Sequence, residues 1–386
     1  MELIFDDNGL HLSLAPLTLT KPVAELRFGI LTIRESWEGF FNAFKGSFDS
    51  TFKTEEYLYS KFSPAKMDRE CLIIAGNIKP SETLAKVVWE LKEGEALFAN
   101  NAKIAQKGTT FETRIDFNAQ NELLFIEKPW HLFQKNEAAI QLDFNFLTKN
   151  RISQALSNTN SVSNRENIFL EEGAIVEHAI LNAATGPIYI GKNAEIMEGS
   201  MIRGPFGLCE DSTVKMGAKI YGATSVGPHC KVGGEISNSL FQAYSNKGHD
   251  GFMGNSVIGE WCNFGADTNT SNLKNNYSNV RIYSYETRQL EESDVLFCGT
   301  IMGDHSKTGI NTMLNTATSV GVSANVFGAG FPPKFIPSFS WGEAEENKRF
   351  ILEKAFEVAA SMMIRRKIPF TEGDKSILTH LYNKMA

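Results

Sequence analysis

Three stretches carry side chains whose types and spacing could do chemistry. The first is Lys247-Gly-His-Asp-Gly251, where His249 stands in a glycine-flanked turn. An imidazole titrates near neutral pH and can take a proton from an attacking group. A lone histidine is more often a satisfied or simply exposed residue, so the setting must decide. The second runs from Ala15 to Arg34, where Lys21 and Arg27 flank a proline and precede Gly29. Basic residues in a Pro/Gly-bounded loop before a helix can hold a phosphate. Solvated charges on a surface loop explain the same pattern equally well. The third is Gly303-Asp-His-Ser-Lys-Thr308, where His305 interrupts a periodic pattern. The aromatic run Lys128-Pro-Trp-His-Leu-Phe133 reads as core ahead of pocket wall.

The elements that must position these residues announce themselves by period. Every sixth residue from Ile190 is aliphatic: Ile196, Ile202, Leu208, Val214, Ile220, Val226 and Val232 follow without a miss. Two residues ahead of each stand Ala194, Ser200, Phe206, Ser212, Ala218, Thr224 and Cys230, nearly all small. Helices repeat at three and four, and half-buried strands at two. A period of six marks a parallel β-helix, with three strands and three corners to a coil. The aliphatic residue points inward, and stacked coils share one apolar core. The spacing extends upstream through Ile168, Ala174 and Ile180, and resumes at Phe252, Ile258, Phe264 and Thr270. After an Asn-rich loop it predicts Ile310, Thr316 and Val322 as inward positions. His249 falls in a break between Val232 and Phe252, and breaks in a rigid solenoid are loops that can carry function.

With 386 residues the chain exceeds one ordinary core, so more than one domain is expected. Residues 1–160 read as an α/β domain, with strands at Met1–Phe5, Cys71–Gly76 and Ala96–Ala99 and a helix capped by Ser81. Residues 151–167 read as a polar linker. The solenoid is expected over 168–335, ended by Pro332-Pro333. A helical extension is expected over 340–386, with Glu343, Glu345 and Glu346 near its start and Arg365, Arg366 and Lys367 near its end, as the helix dipole favours. A net charge of −7 argues against nucleic-acid and membrane-surface binding. The chain opens without a secretory signal and holds no run of eighteen apolar residues. Five widely spaced cysteines without a CxxC fit a reducing cytoplasm.

The segment Ser245-Asn-Lys-Gly-His-Asp-Gly-Phe-Met-Gly-Asn-Ser-Val-Ile-Gly-Glu-Trp-Cys-Asn-Phe-Gly-Ala-Asp-Thr268 resembles a known pattern, S-K-A-x-H-L-x-Y-x-G-D-A-x-I-G-x-x-V-N-I-G-A-G-T followed by T-x-N-Y. That pattern belongs to the GlmU-like family, the bifunctional N-acetylglucosamine-1-phosphate uridyltransferase/glucosamine-1-phosphate acetyltransferases. The resemblance is good over 210–330 and weaker before it. It implies a nucleotidyltransferase-like domain followed by a left-handed parallel β-helix, a rare exception to right-handed crossovers. It also implies acetyl transfer from acetyl-CoA to an amino-sugar phosphate or nucleotide amino sugar, in a homotrimer.

Residue by residue, the resemblance makes His249 the catalytic base and Asn263 its partner. Gly265 and Ala266 border the acetyl-CoA thioester, and His305 lies near the coenzyme. Lys215 takes the place of an arginine that holds sugar phosphate, while Phe252 and Asn272 fall on substrate positions. Phe252 and Leu273 replace tyrosines, and Asp267 replaces a glycine. The family's L-x-x-G-x-G-T-R-M nucleotide loop has no counterpart, since residues 1–38 hold only Gly9 and Gly29. The domain therefore uses another phosphate loop, centred on Lys21, Arg27 and Arg34, or has lost catalysis. Mg2+ is expected only if it is active, with Asp6, Asp7 and Asp143 as candidate ligands. The alternatives are a sugar-1-phosphate nucleotidyltransferase with the β-helix as a trimerisation scaffold, and a non-catalytic sugar-nucleotide binder.

Overall fold

The computed structural model describes residues 1–44, 46–67, 70–99, 101–118, 123–342 and 348–384. The architecture is the expected one: an α/β nucleotidyltransferase-like domain, a left-handed parallel β-helix and a helical C-terminus.

The N-terminal sheet contains β1 (Glu2–Asp6), β2 (Asp49–Lys53), β3 (Cys71–Ala75), β4 (Glu95–Ala99), β5 (Ala102–Lys107) and β6 (Thr113–Asp116), in the order β2-β1-β3-β5-β4-β6. β1 runs parallel to both neighbours, and β3 meets β5 antiparallel. Helix α1 (Ile33–Ala43) starts in a capping box, Thr32 accepting from the Glu35 amide while Glu35 accepts from the Thr32 amide. Helix α2 (Glu82–Trp89) is capped by Ser81. Leu132 and Phe133 are buried, so their aromatic-rich run is core. Helix α3 (Asn136–Thr148) closes the domain.

The prism has three faces, and their ladders step by about one coil. One face is a nine-stranded sheet from Ile168–Leu170 to Phe335–Ile336. A second has eight strands, beginning at Ser161–Ser163. The third begins at Ile175–Val176 and continues past its five regular strands by single bridges from Asn246 to Asn263 and Asn263 to Lys307. The aliphatic residues from Ile190 to Val232 in the six-residue frame are all buried. The stretch 151–167, read as a linker, instead winds onto the first coil, with Ser161–Ser163 pairing to Ile180–Asn182.

Several inward assignments shift by a residue or two. Leu181 points inward in place of Ile180, and Met253 in place of Phe252. Ile310 is 73% exposed, because the insertion at 271–298 resets the frame to Met302, Thr308, Leu314, Val320 and Val326. That insertion carries an antiparallel hairpin, Arg281–Ser284 with Gln289–Glu292.

The two large segments share a core. The outward residues Leu240, Val257 and Ile301 of the nine-stranded face and Ala317 at the corner before its strand Thr318–Val320 join the N-terminal core cluster, as do Val280, Ile282 and Val295 of the insertion. The C-terminus forms two helices where one was expected, α4 (Leu352–Ile364) and α5 (Glu372–Lys384). They pack on Phe339 and Val322 of the solenoid and on Leu58 of the N-terminal domain. Glu343, Glu345 and Glu346 lie outside the described residues. No described helix is long and apolar enough to cross a membrane.

Candidate functional site

A cavity of about 770 Å³ lies on the third face of the prism, beneath α4. Its floor is a column of outward side chains on successive coils: Lys231, Asn246, Asn263 and Lys307. One wall is the corner holding Gly248, His249, Gly265, Ala266 and Ile310, with Lys215 beside Gly248. The opposite wall is the corner that carries Tyr244 and Trp261. Val358, Met362, Arg365 and Arg366 of α4 and the residues after it form the roof, and an Arg366 guanidinium N–H donates to the His229 carbonyl at 3.3 Å.

The aromatic corner has a backbone cause. Each coil turns there through one left-handed residue, and His229, Tyr244, Trp261 and His305 occupy it in turn, with φ of 57°, 55°, 60° and 62°. Left-handed backbone is unfavourable for such side chains. In exchange, the rings line up along the prism, with centroids 5.0, 4.1 and 6.3 Å apart and planes within 12° of parallel. Stacked aromatic pairs contribute roughly 0.5–1.5 kcal/mol each beyond burial.

The His249 corner is held from below by a residue that sequence reasoning passed over. Lys247 pairs in register with the inward Val232 and is only 2% exposed. Its ammonium donates to the carbonyls of His249 at 2.8 Å, Gly233 at 3.2 Å and Asp250 at 3.4 Å. Burial pushes it down to about 8, against the pull of Asp250 and Asp267. The family pattern S-K-A-x-H has alanine at this point, so a lysine in the aliphatic column was the available signal. Gly251 completes the turn at φ 116°, where a side chain would run into the Thr268 backbone.

Five of the expected residues thus line one cavity: His249, Asn263, Lys215, Gly265 and Ala266. Phe252 and Asn272 do not line it. They lie around the corner on the eight-stranded side, where the Phe252 amide donates to Asn269 at 2.7 Å and the Asn272 amide to Asn255 at 2.8 Å. His305 faces the next cavity, of about 220 Å³, sharing the Trp261 wall. Burial, with Lys307 and Lys61 nearby, pushes it down to about 3, so it is neutral at physiological pH.

Lys21 and Arg27 are corrected by the structure as residues of an open phosphate loop. Lys21 is buried between Glu260 at 2.5 Å and Asp304 at 3.0 Å, both on the solenoid. Burial disfavours its charge, but the two carboxylates win and hold it above the usual lysine value. Arg27 is buried too, donating to the backbone carbonyls of Gln242 and Ile30, while Gln242 accepts from its amide. Arg34 pairs with Glu25 and Glu38. These cations tie the domains together or brace the loop. The carboxylates proposed for magnesium are likewise engaged apart from one another: Asp6 with Lys53, Asp7 with Thr54 and the Val23 amide, and Asp143 with Lys79. Burial above all raises Asp7 to about 7. Among the described residues no group of three His, Cys, Asp or Glu is placed to hold a metal.

Comparisons with known proteins agree with this architecture. Residues 3–152 match the family model described as sugar nucleotidyl transferase. A protein of Synechococcus elongatus named bifunctional protein GlmU is 26% identical over 164 residues, 40% of this chain and 32% of the relative. Its namesake in Methanocaldococcus jannaschii is 34% identical over 87 residues, 22% of this chain and 21% of the relative. An Escherichia coli protein named uncharacterized acetyltransferase YaiX is 26% identical over 170 residues, 44% of this chain and 71% of the relative. The likenesses are thus to transferases, sugar nucleotidyl transferases over residues 3–152 and an acetyltransferase by name among the relatives, and the fold sets a nucleotidyltransferase-like domain on a left-handed β-helix. The likeness to the GlmU-like family stands, and the chain spans a third or less of the two GlmU relatives described.

Proposed function

We propose that the cavity transfers an acetyl group from acetyl-CoA to the amine of an amino-sugar phosphate or nucleotide amino sugar. What supports this reading is the convergence of His249, Asn263, Lys215, Gly265 and Ala266 on one cavity. The amine nitrogen attacks the thioester carbonyl, and the C–N bond forms as the C–S bond breaks. His249 takes the proton the nitrogen sheds, and the sulfur leaves as the thiol of coenzyme A once protonated. The negative charge that develops on the carbonyl oxygen is stabilised by backbone N–H groups near the glycine-alanine turn. Asn263 orients substrate, and Lys215 attracts phosphate.

The test is thiol release from acetyl-CoA across a panel of amino-sugar phosphates and nucleotide amino sugars. His249→Ala should keep its fold and lose about two to four orders of magnitude in rate, the usual worth of a general base. Asn263→Ala should lose less. Equal rates in wild type and His249→Ala would remove the histidine from the chemistry. If no acceptor turns over while UTP and sugar phosphates yield pyrophosphate, the N-terminal domain holds the activity, a reading favoured by its match to sugar nucleotidyl transferases.

A further inference from the structure

Another cavity, of about 630 Å³, lies where three parts of the chain meet, and it shares no lining residue with the cavity beneath α4. Glu55, Glu56 and Tyr57 of the N-terminal domain form one wall. Ser376, His380 and Lys384 form another, stacked at a spacing of four on one face of α5 and joined by Arg288 from the turn of the insertion hairpin. The two walls meet where the Tyr57 and His380 rings stack, with centroids 4.1 Å apart and planes 6° from parallel. His11 stands beside Tyr57 and is buried. The Tyr57 hydroxyl donates to the Leu19 carbonyl at 2.7 Å, so its oxygen is left to accept from His11 Nε2, 3.0 Å away. Burial pushes His11 down to about 4, and burial with Lys384 nearby holds His380 below the usual histidine value. The centre of the cavity is therefore neutral near pH 7, and its charge is confined to the walls.

That charge has a pattern. The N-terminal wall carries two carboxylates, Glu55 and Glu56, and the helix and hairpin carry two cations, Arg288 and Lys384. None of the four makes an ion pair with a described residue. A ligand of one sign gains at one wall and is repelled at the other, whereas a ligand carrying both signs gains at both. The arginine fork matches two oxygens of an acidic group, and lysine adds a point charge. Leu12 and Leu381 add apolar surface, and the volume is within the usual range for a small-molecule site. The site also reaches the roof of the first cavity. Helix α5 is tied to the N-terminal domain by Lys61 and Asp374 at 2.8 Å, and by the Ser60 hydroxyl donating to the Gly373 carbonyl at 3.3 Å. Its Ile377 and Leu378 pack in the cluster that holds Leu58. It follows α4 by the short connection 365–371, so whatever fixes α5 also fixes the end of α4.

We propose that this three-way junction binds a small zwitterion, its ammonium toward Glu55 and Glu56 and its acidic group toward Arg288 and Lys384, and that the bound ligand steadies α4 over the first cavity. The ligand bridges the N-terminal domain to α5 and adds a tie that the chain alone lacks. The acidic group is a carboxylate or a phosphate, since the same two cations receive either. Both parts of the proposal stand apart from the acetyl-transfer reading, because neither uses His249 or its neighbours.

The experiment is calorimetric titration of the full chain with two zwitterions, glycylglycine and glucosamine 6-phosphate. The controls keep one charge each: N-acetylglycylglycine and glycylglycinamide for the first, glucose 6-phosphate and glucosamine for the second. At least one zwitterion should bind, its controls should bind at least tenfold more weakly, and affinity should fall as salt rises. Binding of glycylglycine assigns a carboxylate to the basic wall, and binding of glucosamine 6-phosphate a phosphate. The double variants Glu55→Gln/Glu56→Gln and Arg288→Gln/Lys384→Gln change exposed side chains, so both should fold, as circular dichroism checks. Each should weaken binding at least tenfold. No binding by either zwitterion, equal binding by the controls, or wild-type affinity in both variants overturns the site. Hydrogen exchange reads the second part: amides of α4 should exchange at least twofold more slowly with the zwitterion bound. Unchanged exchange in α4 with binding retained overturns the tie to the roof and leaves the site standing.

Discussion

At the residue scale, Lys247 shows how one side chain can set the geometry of another. It occupies an inward position among aliphatic neighbours and gathers two carbonyls of the His249 turn and that of Gly233 on the preceding coil. Lys247→Met fits the same column and removes those bonds. It should leave the fold intact and lower acetyl transfer through kcat more than through KM, because the histidine loses its fixed position. The variant should also change the pH dependence of stability. The folded-state pKa lies near 8, below the ordinary value of 10.5, so the unfolded chain binds the extra proton between those limits. Stability from this group therefore rises with pH across that window and is at its lowest below it. Melting temperatures of wild type relative to Lys247→Met should climb from pH 8 to pH 10. A flat difference would mean that the lysine stays charged throughout or carries no strain. The resemblance carries the motifs of His249, Asn263 and Lys215, and the fold brings the three to one cavity. Lys21 and Arg27 were misread because a Pro/Gly-bounded basic loop looks alike whether it meets a phosphate or a carboxylate. Only the fold brings Glu260 and Asp304, more than two hundred residues away, against Lys21.

At the scale of elements, the six-residue period was legible wherever coils follow one another without interruption. Val214 and its partners from Ile190 to Val232 are inward as the period requires. Val214→Asp places an unpaired charge in that core and should abolish soluble, folded protein or lower the Tm steeply, as read by circular dichroism. A folded variant with unchanged melting would contradict the prism. The period failed where an insertion intervened. The stretch 271–298 runs from the strand Asn269–Thr270 of the eight-stranded face to Thr300–Met302 of the nine-stranded face, and nothing local fixes the phase on its far side. Ile310 therefore kept the spacing and lost the burial. The outward apolar residues of the nine-stranded face were a signal left unused. Ile168-Phe-Leu170 and Ile188-Tyr-Ile190 are apolar on both sides, the mark of strands covered on two faces.

At the scale of the whole molecule, the family resemblance of the solenoid motifs carries a proposal about assembly. A homotrimer is expected, so light scattering should report three times the chain mass at micromolar concentration. A monomer would restrict the candidate site to groups supplied by one chain. The N-terminal domain bears on assembly because it lies along the nine-stranded face and leaves the eight-stranded face for a neighbour. Exposed Ile180, Met201 and Met313 stand on that second face. The shared core between the domains has one more consequence. Repeat proteins commonly lose coils one at a time from a free end, because each coil touches only its neighbours. Here the loop before α1, helix α3 and the hairpin of the insertion bridge several coils at once, and α5 returns from the far end to the 3-10 turn Glu56–Ser60. Peeling one coil would strip Leu240, Val257 or Ile301 of its cover and open the neighbouring domain with it. What reads along the chain as a domain followed by a string of repeats is, mechanically, one indivisible body.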